Sequence, residues 1–168
     1  MTVRILLLAS GVWLAACGST GLEGQVFRGA DTTYRVGHLG SRWQRVDVKG
    51  QNDIAFAERD LAAIIQLNSS CDSSLDIPLE ALTRHLLIGF TERRIHSQER
   101  VPMAAREALR THADAKLDGV PRELLFHVLK KDGCVYDFAL VAPPGEAFAR
   151  ARDDYEAFVG GFATEGDP

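Results

Sequence analysis

Histidine, cysteine and arginine are the residue types in this chain with chemistry to offer, and their spacing limits what that chemistry can be. There are five histidines and three cysteines among 168 residues. His96 and His112 fall on two stretches of alternating polarity either side of residue 104, so a hairpin would bring them together, and Asp114 is near enough to join them. Two imidazoles and a carboxylate form a set that a divalent ion accepts. The same stretches carry Arg94, Arg100, Arg106 and Arg110, and guanidinium groups at that density disfavour a cation. The histidine pair therefore reads as part of a solvated strand face, with no metal and no other cofactor expected. The chain contains no Gly-x-Ser-x-Gly elbow, no Gly-x-Gly-x-x-Gly or Walker loop and no His-x-x-x-His pair. No catalytic residue is assigned, and the chain does not read as an enzyme.

The arginines are a signal of their own. Arg93, Arg94, Arg100, Arg106 and Arg110 make one meander locally basic in a chain of net charge −4. Such a surface could take anionic headgroups, lipopolysaccharide or an acidic partner. Glu92, Glu99, Glu107 and Asp114 are interspersed, which favours a mixed, solvated face. If a partner docks there, Arg94, Arg100, Arg106 and Arg110 are the residues that meet it. The overall acidity gives no reason to expect nucleic acid.

The first residues read as an address. Arg4 supplies a positive start, and residues 5–14 form an apolar run too short to span a bilayer as a helix. Leu14-Ala15-Ala16-Cys17 follows. This junction resembles the bacterial lipobox, in which small residues precede a cysteine that is lipidated and becomes the new N-terminus. The resemblance implies a signal peptide over residues 1–16, a lipid on Cys17, and a protein anchored to a membrane of the bacterial cell envelope through that lipid. Gly18 stands where an aspartate would imply inner-membrane retention in enterobacteria, so an outer-membrane position facing the periplasm is favoured if the source is Gram-negative. Residues 18–33 contain four glycines and little periodicity, and read with Cys17 as a flexible tether reaching about 20–25 Å. A single globular domain is expected over residues 34–168.

Export leaves Cys71 and Cys134 in an oxidising compartment, where a disulfide is the default. They stand 63 positions apart. Closing a loop of that length is worth about 4 kcal/mol in the chain-entropy picture. Neither lies in a Cys-x-x-Cys motif or beside a histidine, which argues against a reactive or metal-binding pair.

The composition is that of an ordinary folded domain, 46% hydrophobic and 25% charged. Residues 34–48 and 54–58 read as strands, and residues 61–68 as a strand apolar on both faces. A helix follows. Asp76 is placed to cap it, Pro78 fits its first turn, Leu79, Leu82, Leu86 and Phe90 recur at helical spacing, and Gly89 marks its end. Residues 91–101 and 105–117 alternate as strands, with Arg94, His96, Gln98 and Arg100 on one face of the first. Residues 123–129 and 134–141 form a hairpin about Asp132-Gly133. A last helix starts near Glu146, with Phe148, Ala151, Tyr155, Phe158 and Phe162 in one stripe and Gly160-Gly161 at its end. Trp43 and these aromatics are expected in the core.

The expected class is α+β: a mainly antiparallel sheet with helices covering both faces. This layout is similar to the PsbP-like fold. The points of resemblance are the helix from Pro78 to Phe90, Asp118-Gly119 before the long hairpin, Tyr136 in its second strand, and the closing aromatic helix that ends at Phe162. They extend over about residues 40–163. The resemblance implies an α/β/α sandwich and a non-enzymatic accessory or partner-binding module, which is the expected function, with another envelope protein as partner. The alternative is a lipid-anchored carrier of a small apolar ligand or lipid, held in a gap between sheet and helix.

Overall fold

A computed structural model describes residues 21–47, 53–165 and 167. Its elements run β1 (Gly21–Glu23), β2 (Val26–Arg28), β3 (Thr33–Arg35), β4 (Gln44–Arg45), β5 (Ile54–Glu58), β6 (Ala63–Ser70), α1 (Leu79–Leu86), β7 (Thr91–Met103), β8 (Arg106–Leu117), β9 (Val120–Lys131), β10 (Cys134–Ala142), α2 (Glu146–Gly160) and β11 (Ala163–Thr164). The class is α+β, and every pairing is antiparallel. The large sheet has the order β4-β5-β6-β10-β9-β8-β7, and a small sheet has the order β1-β2-β3-β11.

The long central hairpin follows from its turn. Asp132 and Gly133 take φ of 53° and 78°, the left-handed pair that a two-residue turn needs to match strand twist. Register from Cys134↔Lys131 to Ala142↔Glu123 is unbroken. Alternate residues of a strand face opposite sides of the sheet. On one side, Leu125, Leu129, Phe138 and Leu140 pack with Phe148, Ala151, Tyr155 and Phe158 of α2. On the other, Leu109, Val128 and Val135 pack with Leu79 and Leu82 of α1. Beyond them Leu87 meets Ala115, Leu124, Phe126 and Ala139. The covering of this second side is partial, because α1 has only 8 residues. Ile64 of β6 and Ile95 of β7 remain 41% and 49% exposed.

The small sheet closes the core beside the Asp132-Gly133 turn. Tyr34 is 1% exposed, stacks on Phe27 at 4.9 Å and meets Tyr136 edge-on at 5.7 Å. Phe162 packs on Tyr136 and Phe138 at 4.9 and 5.2 Å. Burying aromatic side chains of this size is worth about 1.5–3 kcal/mol each. After β3 the chain crosses α2 so closely that only glycine fits. The Gly37 amide donates to the Phe158 carbonyl at 2.8 Å, and a β-carbon on Gly37 would stand 2.0 Å from the Ala157 carbonyl oxygen.

Several expectations are corrected. Residues 21–33 are not a free tether: β1, β2 and the start of β3 belong to the fold, and Phe27 is in the core, so the domain begins well before Tyr34. Residues 34–47 do not form one strand, because β3 ends at Arg35 in one sheet and β4 begins at Gln44 in the other. Asp76 does not cap α1. The N-cap is Pro78, with no side-chain cap, while Asp76 pairs with Lys130. Residues 1–20, which include the signal segment and Cys17, lie outside the described residues. Among the described residues no helix is long and apolar enough to cross a membrane.

Candidate functional site

The arginine meander is β7 and β8. Its register is interrupted twice, between Thr91 and Arg94 and between Ile95 and Ser97. An extra residue on one strand of a ladder reverses which face each later side chain takes. Arg94 therefore opposes Asp114, whereas Gln98 and Arg100 oppose Thr111 and Leu109, which face the α1 side. The expected single face of Arg94, His96, Gln98 and Arg100 is not formed.

Carboxylates meet most of these arginines. Arg94 bonds Asp114 at 2.8 Å, and Arg100 reaches Glu80 of α1 at 3.0 Å. Arg110 turns to the other side, to Glu156 of α2 at 2.9 Å and to Glu99 at 3.2 Å. Arg106 stands apart from them and lines a cleft of about 390 Å³ with Asp72, Asp76, Lys130 and Lys131. Exposed pairs of this kind contribute about 0–1 kcal/mol each.

The two histidines do meet, with ring centroids 5.0 Å apart. They do not converge on a common point. His96 Nε2 lies 2.8 Å from Asp114 Oδ2, and His112 Nε2 lies 2.8 Å from Glu123 Oε1. Phe148 stacks on His112 at 5.3 Å. Arg94 shares Asp114 and, with His96, holds its carboxyl below the usual range. Among the described residues no group of three or more His, Cys, Asp or Glu is arranged to hold a metal ion.

A second cluster was not legible in the sequence. His127 stands in the apolar run of β9 and is 3% exposed. Its Nδ1 lies 3.0 Å from the Tyr155 hydroxyl, and its Nε2 lies 3.9 Å from Glu156 Oε2. Burial pulls His127 down to about 4, so the imidazole is neutral. Burial also pushes the Tyr155 hydroxyl well above its ordinary value. His127, Arg110 and Glu156 floor a cleft of about 340 Å³ walled by Val101, Met103 and Phe162. At its lip the β7–β8 turn is made by Ala104 and Ala105, both left-handed with φ of 45° and 58°. The cleft thus joins apolar walls to a polar base of a neutral imidazole and an arginine–glutamate pair. The sequence signal was slight: one polar residue inside an apolar strand.

Cys71 and Cys134 form a disulfide, with sulfurs 2.06 Å and Cα atoms 4.0 Å apart. It ties the segment after β6 to the start of β10. Nearby, Asp53 accepts from the Tyr34 hydroxyl and the Ser69 amide, both at 2.9 Å.

No family model matches the chain, and no curated protein matches its sequence. Solved structures do. The chain is similar to cyanobacterial PsbP (CyanoP) from Synechocystis sp. PCC 6803, with TM-score 0.62 and 16% identity over 90% of this chain and 98% of that one. It is similar to LpqN of Mycobacterium tuberculosis, described as involved in cell envelope biogenesis, with TM-score 0.52 and 12% identity over 81% of this chain and 86% of that one. A Bacteroides thetaiotaomicron structure matches with TM-score 0.55 and 11% identity over 78% of this chain and 44% of that longer one. At these identities the likeness shows the fold, which is PsbP-like.

Proposed function

We propose that this protein is a non-enzymatic accessory module of the bacterial cell envelope that binds a protein partner, and that lipid on Cys17 holds it at the membrane. The observation that carries the reading is the PsbP-like fold over 90% of the chain, stapled by a disulfide suited to an exported protein. LpqN, involved in cell envelope biogenesis, has the same fold and supports the compartment. The Leu14-Ala15-Ala16-Cys17 junction supplies the anchor, and Gly18 favours the outer membrane, facing the periplasm, in a Gram-negative source. Gly21 of β1 stands four positions after Cys17, a chain distance of at most about 14 Å, so a lipid on Cys17 would hold the domain close to its membrane. Cell fractionation tests this directly. Cys17→Ser moves the protein from the membrane to the soluble fraction, and the intact mass of the wild type shows an acylated N-terminal cysteine. Retention of the variant in the membrane through an uncleaved N-terminus refutes the anchor.

The cleft of about 340 Å³ between the β7–β8 hairpin and α2 favours the carrier as a second reading. Native mass spectrometry separates the two. A carrier leaves the cell with a small apolar molecule bound, and Met103→Trp, which fills the cleft, displaces it.

A further inference from the structure

The large hydrophobic side chains that the described residues leave exposed are Ile64, Ile88, Ile95, Leu117 and Val120. Their placement is not random. Ile64 opposes Val141, Ile95 opposes Ala113, and Leu117 opposes Val120. Directly opposed residues share a face. Val141 and the Ala115 row pack with Leu87, on the side of the sheet that α1 covers. Ile88 follows α1 directly and is 73% exposed. Ile88, Ile95, Leu117 and Val120 thus ring the C-terminal end of α1, where the helix stops and β7, β8 and β9 continue.

The charges around this end are unbalanced. Arg93 of β7 and Arg122 of β9 have no carboxylate partner among the described residues, although Arg93 does donate to the Leu87 carbonyl at 3.4 Å, and Arg84 of α1 has only Glu80 one turn earlier, a carboxylate it shares with Arg100. Asp118 at the β8–β9 turn is the acidic residue nearby without such a partner. A chain of net charge −4 therefore presents arginines around its most exposed apolar residues. Isolated exposed apolar residues are ordinary, but a group of them rimmed by one charge marks a contact surface.

We propose that this end of the sheet docks the envelope partner, a protein that offers an apolar ridge flanked by carboxylates; the assignment rests on the accessory reading above. A second copy of this chain would bring the same arginines face to face. A flat bilayer fits poorly, because α1, about 10 Å across, stands above the strands beside it and makes a step. The patch also lies away from the first strand of the fold: the Leu22 carbonyl of β1 accepts from Arg45 of β4 at 3.1 Å, at one edge of the large sheet, whereas the patch is built on β7, β8 and β9 toward the other edge.

Photo-crosslinking in cells with the full-length, lipidated protein tests the proposal. A photoreactive phenylalanine replaces Ile88, Ile95, Leu117 or Val120 in turn, and Arg152 or Asp153 of α2 as controls. The expected result is one protein adduct from the four patch positions and none from α2. Its crosslinked peptide, mapped by mass spectrometry, holds apolar residues flanked by Asp or Glu. The adduct falls at least tenfold with Arg84→Glu, Arg93→Glu and Arg122→Glu combined, in a protein whose melting temperature is unchanged. A lipid adduct, an adduct of the chain with itself, or equal labelling from α2 overturns the docking site. Adducts from α2 alone overturn this surface but keep the accessory reading, whereas no protein adduct from any position overturns both.

Discussion

Asp137 makes a counterintuitive forecast: removing its charge stabilises the protein. It sits in the middle of β10, between Asn68 and Val128, and its buried Oδ1 has no hydrogen-bond partner among the described residues. Burial raises its carboxyl from 3.8 to about 6. Below 3.8 both folded and unfolded chains hold the proton, and the group contributes nothing. Between 3.8 and about 6 the unfolded chain ionises first, so stability falls as pH rises, and above about 6 the full cost is present. The interval corresponds to about 3 kcal/mol. His127 works in the opposite sense. Its folded value of about 4 lies below the ordinary 6.5, so its contribution is whole above 6.5 and is lost as pH falls toward 4, again by about 3 kcal/mol. In the wild type the two slopes oppose each other between pH 4 and 6. Asp137→Asn removes one of them. Urea unfolding of the variant at pH 7.5 should give a gain of up to about 3 kcal/mol, or about 6–12 °C in melting temperature for a domain of this size. At pH 3.5 the gain should vanish, and between them the variant should lose stability on acidification more steeply than the wild type. A variant equally destabilised at every pH would refute the reasoning, since it would mean that Asp137 is charged and satisfied in the fold.

Other outcomes follow from the same geometry. Reducing the Cys71–Cys134 bond, or replacing both cysteines with serine, should cost about 4 kcal/mol of unfolding free energy for its separation of 63 residues, read by denaturation with and without reductant. Gly37→Ala should cost more than about 3 kcal/mol, because its β-carbon would meet the Ala157 carbonyl at 2.0 Å, whereas Gly40→Ala, with open space around it, should melt near the wild type. Ala105→Gly should stabilise by about 1 kcal/mol, since its φ of 58° is one that glycine adopts freely, and a thermal melt decides it.

What the sequence disclosed, and what it concealed, divides by the range of the interaction. The Asp132-Gly133 hairpin was legible because two adjacent residues encode the turn, and the α2 stripe because Phe148, Ala151, Tyr155 and Phe158 repeat within one helix. The cysteine pair was legible because the lipobox resemblance set Cys17 apart and left two thiols to pair. The small sheet was not legible, because strands of three residues are too short to show alternation and Phe27 gains its place only by stacking on Tyr34. Asp76 had the spacing of a helix cap, but Lys130, 54 positions away, outbid the local amides.

The arginines show most sharply how a local pattern can mislead. Period-two alternation put Arg94 and Arg100 on one face, and it would have been right in a regular strand. The irregularity between Ile95 and Ser97 sends Arg100 to Glu80 on α1, while Arg110 goes to Glu156 on α2. Arg94, Arg100 and Arg110 thereby serve as links among the sheet, its two helices and neighbouring carboxylates, which leaves them little free charge to offer a partner. Arg84 and Arg122 escaped notice, and Arg93 was counted only with its own meander, because the three come from separate elements. They become neighbours of the exposed isoleucines only once β7, β9 and α1 are assembled at one end of the sheet. A binding surface made by the ends of elements leaves no periodic trace in any one of them, whereas the cation that a regular strand appears to advertise is the one the fold most readily neutralises.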